Sequence, residues 1–316
     1  MIRNFAAAVA LAAATTALQA QTYPTGPINL VIPLAAGDAT DTAARAIAEE
    51  LSRDLKVAII PINRPGAAGA LGTDLVVKAP KDGHTILLTN NASLVFRAII
   101  DPKVASYDPF RDLTPLGLAM RSPSILVAGS EQPFRNFKEM VEYAKKTPLR
   151  IGTAGVGSVG HFCVNTIAKL IGTELTMVPF TGAMPAVTAV RGGHVEAVIL
   201  ALGTMTGQIR SGAVHGIVIS SKWDDFPNIP TLAELGYSEP LFDIWTAFFA
   251  PAGVPAEVTA TLVPALERAI RSPAVAARLK PLGILPDYAP PAKVLAAMRD
   301  EHKRVSELAR QAGLVK

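Results

Sequence analysis

The chain has 316 residues, half of them apolar and 18% charged, with 30 basic against 26 acidic side chains and a formal charge of +4. That length and apolar share exclude a disordered or fibrous chain and leave room for two lobes with proper cores. The basic residues are scattered, with no basic stripe interleaved with aromatics, so no nucleic-acid partner is expected.

Residues 1–20 read as a secretory signal peptide. Arg3 sits in a short charged start, an apolar run extends from Phe5 to Leu18, and small residues lead to a cleavage point near Ala20. The run is too short to cross a bilayer, and no other segment approaches that length. Leu18 stands where a small residue is usual, so cleavage after Ala17 is the alternative. The expectation is an exported, soluble protein.

From Ile28, "INLVIP" is a β-branched strand, "LAAGDATD" a small-residue loop and "TAARAIAEELSRDL" a helix. "VAIIPIN", the loop "RPGAAGALG", the helix "TDLVVKAP" and "KDGHTILLTN" follow, giving βαβαβ, the pattern of a parallel sheet wound by right-handed crossovers. A second copy begins at Arg150. "LRIGTA" is its strand, "GVGSVG" its loop and "HFCVNTIAKLIG" its helix. "LTMVPFTG" then matches "VAIIPINRPG", and Gly155 stands as far before Pro179 as Gly37 before Pro61. Proline-rich punctuation near Pro227–Pro230 ends this unit. The remainder reads as helices, "PAEVTATLVPALERAI", "PAVAARLKPLG" and "PAKVLAAMRDEHKRVSELARQAG", expected to return to the first lobe.

Gly155 to Gly160 spell G-x-G-x-x-G between a strand and a helix, the setting of a dinucleotide fingerprint. That fingerprint needs an acid at the end of the second strand to hold a ribose hydroxyl, and Phe180, Thr181 and Gly182 offer none. A helix N-terminus binds a carboxylate as readily as a pyrophosphate, through unpaired N–H groups and a partial positive charge. No cofactor is therefore expected. The five histidines show no metal-ligand spacing, and no serine elbow or phosphate loop of the G-x-x-x-x-G-K type occurs. Ser158 and His161 share a helix start and read as anion donors before catalysts. Cys163, the single cysteine, can form no internal disulfide and reads as a small buried hydrophobe. Two glycine loops on two lobes then suggest a cleft that grips one carboxylate from both sides.

"YPTGPINLVIPLAAGDATDTAARAIAEELS", "NRPGAAGALG", "APKDGHTILLT", "YDPFRDLTPLG", "GTAGVGSVGH", "VPFTGAMPAV", "RGGHVEAV", "PNIPTLAELG" and "WTAFFAPAGVP" occur in order from Tyr23 onward. Together they resemble the Bug-type solute-binding proteins, periplasmic receptors of tripartite tricarboxylate transporters. The resemblance implies a two-lobed α/β clamp of the Venus-flytrap kind, each lobe a wound β-sheet flanked by helices. Lobe 1 would take residues 22–123 plus 228–316, and lobe 2 residues 124–227. It implies a non-enzymatic, monomeric periplasmic protein that captures a small carboxylated solute (organic acid, aromatic carboxylate or amino acid) for the transporter's membrane permease subunits. The alternatives are an enzyme using the glycine loop for a cofactor, or a solute sensor without transport.

Carried over residue by residue, the family's ligand loops are Pro33–Asp41 and Thr153–His161. The expected contacts are Leu34, Ala36, Gly37, Asp38, Ala39, Thr40 and Asp41 in the first, and Gly155, Gly157, Ser158 and His161 in the second. The strand end at Asn90 and Asn91 and the turn at Thr181 and Gly182 would form the other walls. One departure stands out. Where the family usually reads proline-phenylalanine-proline-alanine-glycine-glycine, this chain has Pro33-Leu34-Ala35-Ala36-Gly37-Asp38, losing an aromatic and gaining an acid. Two readings stand for Asp38: a helix N-cap, or a charge in the cleft that repels a second carboxylate and attracts an amine.

Overall fold

A computed structural model describes residues 23–311 and 313–315; the signal segment expected over residues 1–20 lies outside them. Strand β1 (Ile28–Ile32) is almost wholly buried and leads through a short loop into helix α1 (Ala39–Leu55). Asp38 starts that helix, its Oδ1 accepting from the Thr40 amide at 2.8 Å, and such a cap is worth about 1 kcal/mol. Ala43, Ala44, Ile47, Ala48 and Leu51 form the buried face of α1. The small alanines let the helix lie close on the sheet, and the helix ends where Lys56 turns left-handed at φ 56°.

The chain returns as β2 (Ile59–Asn63), takes a 3-10 turn at Ala67–Gly69 into α2 (Ala70–Val77), and continues into β3 (Thr85–Asn90). Both β2 and β3 lie parallel to β1, with Ile28 opposite Ile59 and Asn29 opposite Thr85. A π-helical turn, Ala92–Phe96, leads into α3 (Arg97–Ile100) and then β4 (Leu113–Ser122). The second unit repeats the opening with β5 (Ser124–Gly129), α4 (Phe137–Ala144), β6 (Arg150–Thr153), α5 (Val159–Ile171), β7 (Thr176–Pro179), α6 (Ala183–Arg191), β8 (Ala197–Ala201), α7 (Leu202–Arg210) and β9 (Val214–Ile219). Here β6 pairs in parallel with β7 and β8, as β1 does with β2 and β3. The chain then closes with β10 (Ile244–Pro251), α8 (Ala256–Ile270), α9 (Pro273–Leu279), β11 (Leu285–Pro286) and α10 (Pro291–Gln311).

Two sheets result, ordered β11-β4-β10-β3-β1-β2 and β7-β6-β8-β5-β9, each the floor of one lobe. They are mixed rather than parallel. β10 runs antiparallel to β3 and β4, and β5 antiparallel to β8 and β9. The returning helices pack on the first lobe, with Arg268 of α8 paired to Asp54 of α1 at 2.7 Å and Arg278 of α9 to Glu49 at 2.5 Å.

The chain crosses between sheets at Ser122-Pro123-Ser124 and again before β10. Hydroxyls anchor the first crossing: Ser122 Oγ donates to the Gly283 carbonyl at 3.0 Å, and Ser124 Oγ to that of Phe242 in the second crossing at 2.7 Å. A single hydrophobic cluster spans both sheets. At its centre Phe96 of the π turn meets Phe162 of α5 edge to face at 5.0 Å between centroids, and Phe242 of the crossing segment lies 5.6 Å from Phe96. Such pairs add about 0.5–1.5 kcal/mol beyond burial, so the lobes meet on packed aromatics rather than on a bare linker.

Candidate functional site

Between the lobes lies a cavity with about 80 Å³ open to the centres of water molecules. At roughly 10–15 Å³ per water this takes a handful of solvent molecules or a small solute. Leu34, Ala35 and Ala39 form its wall on the first lobe, with Val159, Met184, Ile199 and Leu200 opposite and Ile244 at the crossing. Its polar side chains are Asp38, Thr40, Asn90, Ser158 and Thr181; no lysine, arginine or histidine is part of the lining.

Positive potential comes instead from the backbone. Three helices begin at the cavity: α1 at Ala39, α5 at Val159 and α6 at Ala183. The first N–H groups of a helix have no partner within it and carry the positive end of its dipole. Ser158 caps α5, its Oγ accepting from the His161 amide at 3.3 Å, which leaves the Val159 and Gly160 amides to the cavity. Gly182 caps α6 with no side chain, so the Ala183 and Met184 amides are also free, while Pro185 has no N–H to offer. An anion entering here meets the free amides of α5 and α6 on the second lobe, while on the first lobe Asp38 Oδ1 takes the Thr40 amide at the start of α1.

The sequence explains how these amides come to face one point. Gly155 and Gly157 take φ 125° and 80°, conformations that a side chain would strain, and so turn the loop back over the strand end. Gly160 serves a different need: a Cβ there would lie 2.6 Å from the Ile199 carbonyl oxygen, so only glycine lets α5 lie this close on β8. The three glycines of the G-x-G-x-x-G thus shape an anion-facing helix start without any nucleotide.

Of the residues expected at the site, Leu34, Asp38, Ala39, Thr40, Asn90, Ser158, Thr181 and Gly182 line the cavity. Ala36, Gly37, Asp41, Asn91, Gly155, Gly157 and His161 do not; most of them brace the residues that do. Asp41 is 4% exposed and accepts from the Gly37 amide at 3.0 Å, from Asn63 at 3.0 Å and from Arg45. Burial works to raise its carboxyl, but these hydrogen bonds outweigh it and hold the group below the ordinary carboxylate range. Asn63 also donates to the Leu34 carbonyl, fixing the first loop.

His161 points back into its own loop, where its Nδ1 accepts from the Gly157 amide at 3.1 Å. Burial pushes its pKa down, so it stays neutral with the proton on Nε2. Asn91 turns away from the cavity, its Nδ2 donating to Glu301 Oε1 at 2.9 Å and to the Asp243 carbonyl at 3.1 Å. Cys163 is fully buried and its thiol pushed up to about 11 by burial, which removes it as a nucleophile.

Several lining residues escaped the sequence reading. Pro65, Gly66 and Gly69 come from the loop after β2, and Ile199–Ala201 from the end of β8. The loop "RPGAAGALG" carried a signal in its glycines; the apolar strand end carried none, because it reads like any core strand.

Asp38 caps α1, and it lines the cavity. Protein atoms crowd it while solvent still reaches it through the cavity. Burial pushes its carboxyl above the ordinary value, against hydrogen bonding from Thr40, and the neighbouring Asp41 adds to the rise.

The tripartite tricarboxylate transporter family receptor model matches residues 43–314. Protein BugT of Bordetella pertussis is 30% identical over 310 residues, covering 96% of this chain and 95% of that protein. Among solved structures, MatC from Rhodopseudomonas palustris with bound malate is 31% identical, superposes with a TM-score of 0.83, and covers 90% of this chain and 99% of its own. An R. palustris protein solved with adipate is 26% identical with a TM-score of 0.88, over 92% of this chain and 98% of its own. The chain therefore belongs to the tripartite tricarboxylate transporter family receptors, as a Bug-type solute-binding protein rather than an enzyme.

Proposed function

We propose that this protein captures a small carboxylated solute between its lobes in the periplasm and delivers it to the membrane permease subunits of a tripartite tricarboxylate-type transporter. One observation carries the reading: the N-termini of α5 and α6 open onto a small, largely apolar cavity whose lining, among the described residues, holds no cationic side chain. A carboxylate is an anion that amides and hydroxyls hold well, and the apolar wall suits the carbon skeleton behind it. The malate and adipate bound to the two similar proteins support the class. The contacts assigned here are Asp38, Thr40, Asn90, Ser158 and Thr181, with the amides of Val159, Gly160, Ala183 and Met184. The lobes are taken as residues 22–123 plus 228–316 and 124–227, the protein as a monomer and residues 1–20 as its export signal.

The test is thermal unfolding of refolded, ligand-stripped protein against aliphatic and aromatic mono- and dicarboxylates, amino acids and NAD. A ligand at 100 times its dissociation constant adds about 2.7 kcal/mol, enough to raise the midpoint by several degrees. Stabilisation by a carboxylate class and not by NAD is the expected result. Stabilisation by NAD alone would overturn the reading.

A further inference from the structure

We propose that the solute carries a hydrogen-bond donor, in its preferred form an ammonium group, at the end opposite its carboxylate, and that Asp38 selects it. The proposal rests on the carboxylate-binding reading above and names the solute class within it.

The charges are unevenly shared between the two walls. On the second lobe, Ser158, Thr181 and the α5 and α6 amides present only donors and hydroxyls. On the first lobe, the one ionisable side chain of the lining is an acid. Oδ1 of Asp38 takes the Thr40 amide, and the Thr40 hydroxyl also hydrogen-bonds the carboxyl, but among the described residues no cation is paired with it. The nearest cation in sequence, Arg45, is committed to Asp41 and to Asn63 Oδ1 at 2.9 Å. Asp41 itself lies close enough to oppose the Asp38 charge. The Asp38 carboxylate therefore lacks a counter-charge among the described residues, and the open side of the carboxyl is the cavity.

A solute with a carboxylate at each end would bring a second negative charge to this wall. An amino carboxylate of the same length would bring the missing donor. Leu34 and Ala35 beside Asp38 are apolar and screen neither interaction.

Calorimetric titration of the refolded full-length mature protein at neutral pH with matched pairs tests this: succinate against γ-aminobutyrate, glutarate against δ-aminovalerate, and adipate against ε-aminocaproate, with butyrate as the one-ended control. In the best-binding pair the amino acid should bind at least tenfold tighter than the dicarboxylate, with butyrate between them. Asp38→Asn keeps a good helix cap and should keep the fold, while removing the charge. In that variant the preference should vanish or reverse. A dicarboxylate that binds tighter than its amino partner in the unaltered protein, with the same ratio in Asp38→Asn, would leave Asp38 as a cap and overturn the proposal alone. Absence of binding by every compound, butyrate included, would instead overturn the carboxylate reading and this inference with it.

Discussion

The Gly157 amide donates to Nδ1 of His161, four residues on, at 3.1 Å, closing the loop that presents the α5 amides to the cavity. The bond exists only while the imidazole is neutral, because a protonated ring has no acceptor. Burial lowers the His161 pKa in the folded protein, so at mildly acid pH the unfolded chain takes up a proton that the folded one resists. Its contribution to stability is therefore present above the ordinary histidine range and is lost as pH falls below about 6.5. Denaturant unfolding at neutral and mildly acid pH should show a drop that is smaller in His161→Gln. The same variant should weaken solute binding severalfold at neutral pH through the loosened loop.

Gly160 offers a packing test. Alanine at this position would place its Cβ 2.6 Å from the Ile199 carbonyl, a rigid backbone atom. The expected cost is about 1–3 kcal/mol in chemical denaturation, as for other overpacked sites. Since Gly160 lines the cavity and carries one of the free amides, affinity should fall along with stability.

Glu301 of α10 is a buried acid that bears on stability over the neutral range. It accepts from Trp245 Nε1 and from Asn91 Nδ2, both at 2.9 Å, yet desolvation pushes its carboxyl up to about 7 against those bonds. The folded state thus keeps a proton that the unfolded state has lost, and stability should fall as pH rises from the ordinary glutamate range to about 7. At 1.36 kcal/mol per unit the full effect is of order 3 kcal/mol. Glu301→Gln should flatten this slope and be the more stable protein above neutral pH. Asn91 Oδ1, buried without a partner among the described residues, would accept from the new amide once the Asn91 amide turns over. Thermal midpoints of both proteins across this range give the comparison.

Arg97 joins the lobes on the side of the glycine loop. Its Nη1 donates to the Val156 carbonyl at 3.3 Å while its Nη2 is held by Asp101 at 3.1 Å. Val156 lies between the two loop glycines, so the contact favours the closed arrangement of the lobes. Arg97→Ala should speed solute release severalfold in stopped-flow displacement, with less effect on the association rate.

Much of the fold was legible in the residues themselves. The alternation of short β-branched runs, glycine loops and alanine-rich helices located β1 to β3, their repeat at β6 to β8 and the three closing helices. The antiparallel strands were harder. β10 pairs with β3 across about half the chain, and nothing local in "DIWTAFFAP" distinguishes an antiparallel buried strand from a parallel one. At the site, the sequence located the helix starts because caps and glycines are local chemistry. It did not separate residues facing the cavity from those behind it. Asp41 and His161 look like ligand groups in sequence and become braces only when Arg45, Asn63 and Gly157 are seen around them.

The binding claim is tested most directly by a crystal structure of the protein with the carboxylate that stabilises it most. The expected result is one carboxylate group within hydrogen-bond distance of the Val159, Gly160, Ala183 or Met184 amides, with the Ser158 hydroxyl beside it. A carboxylate seated on a lysine or arginine outside the cavity, with these amides still facing solvent, would contradict the reading of the α5 and α6 starts as the clamp.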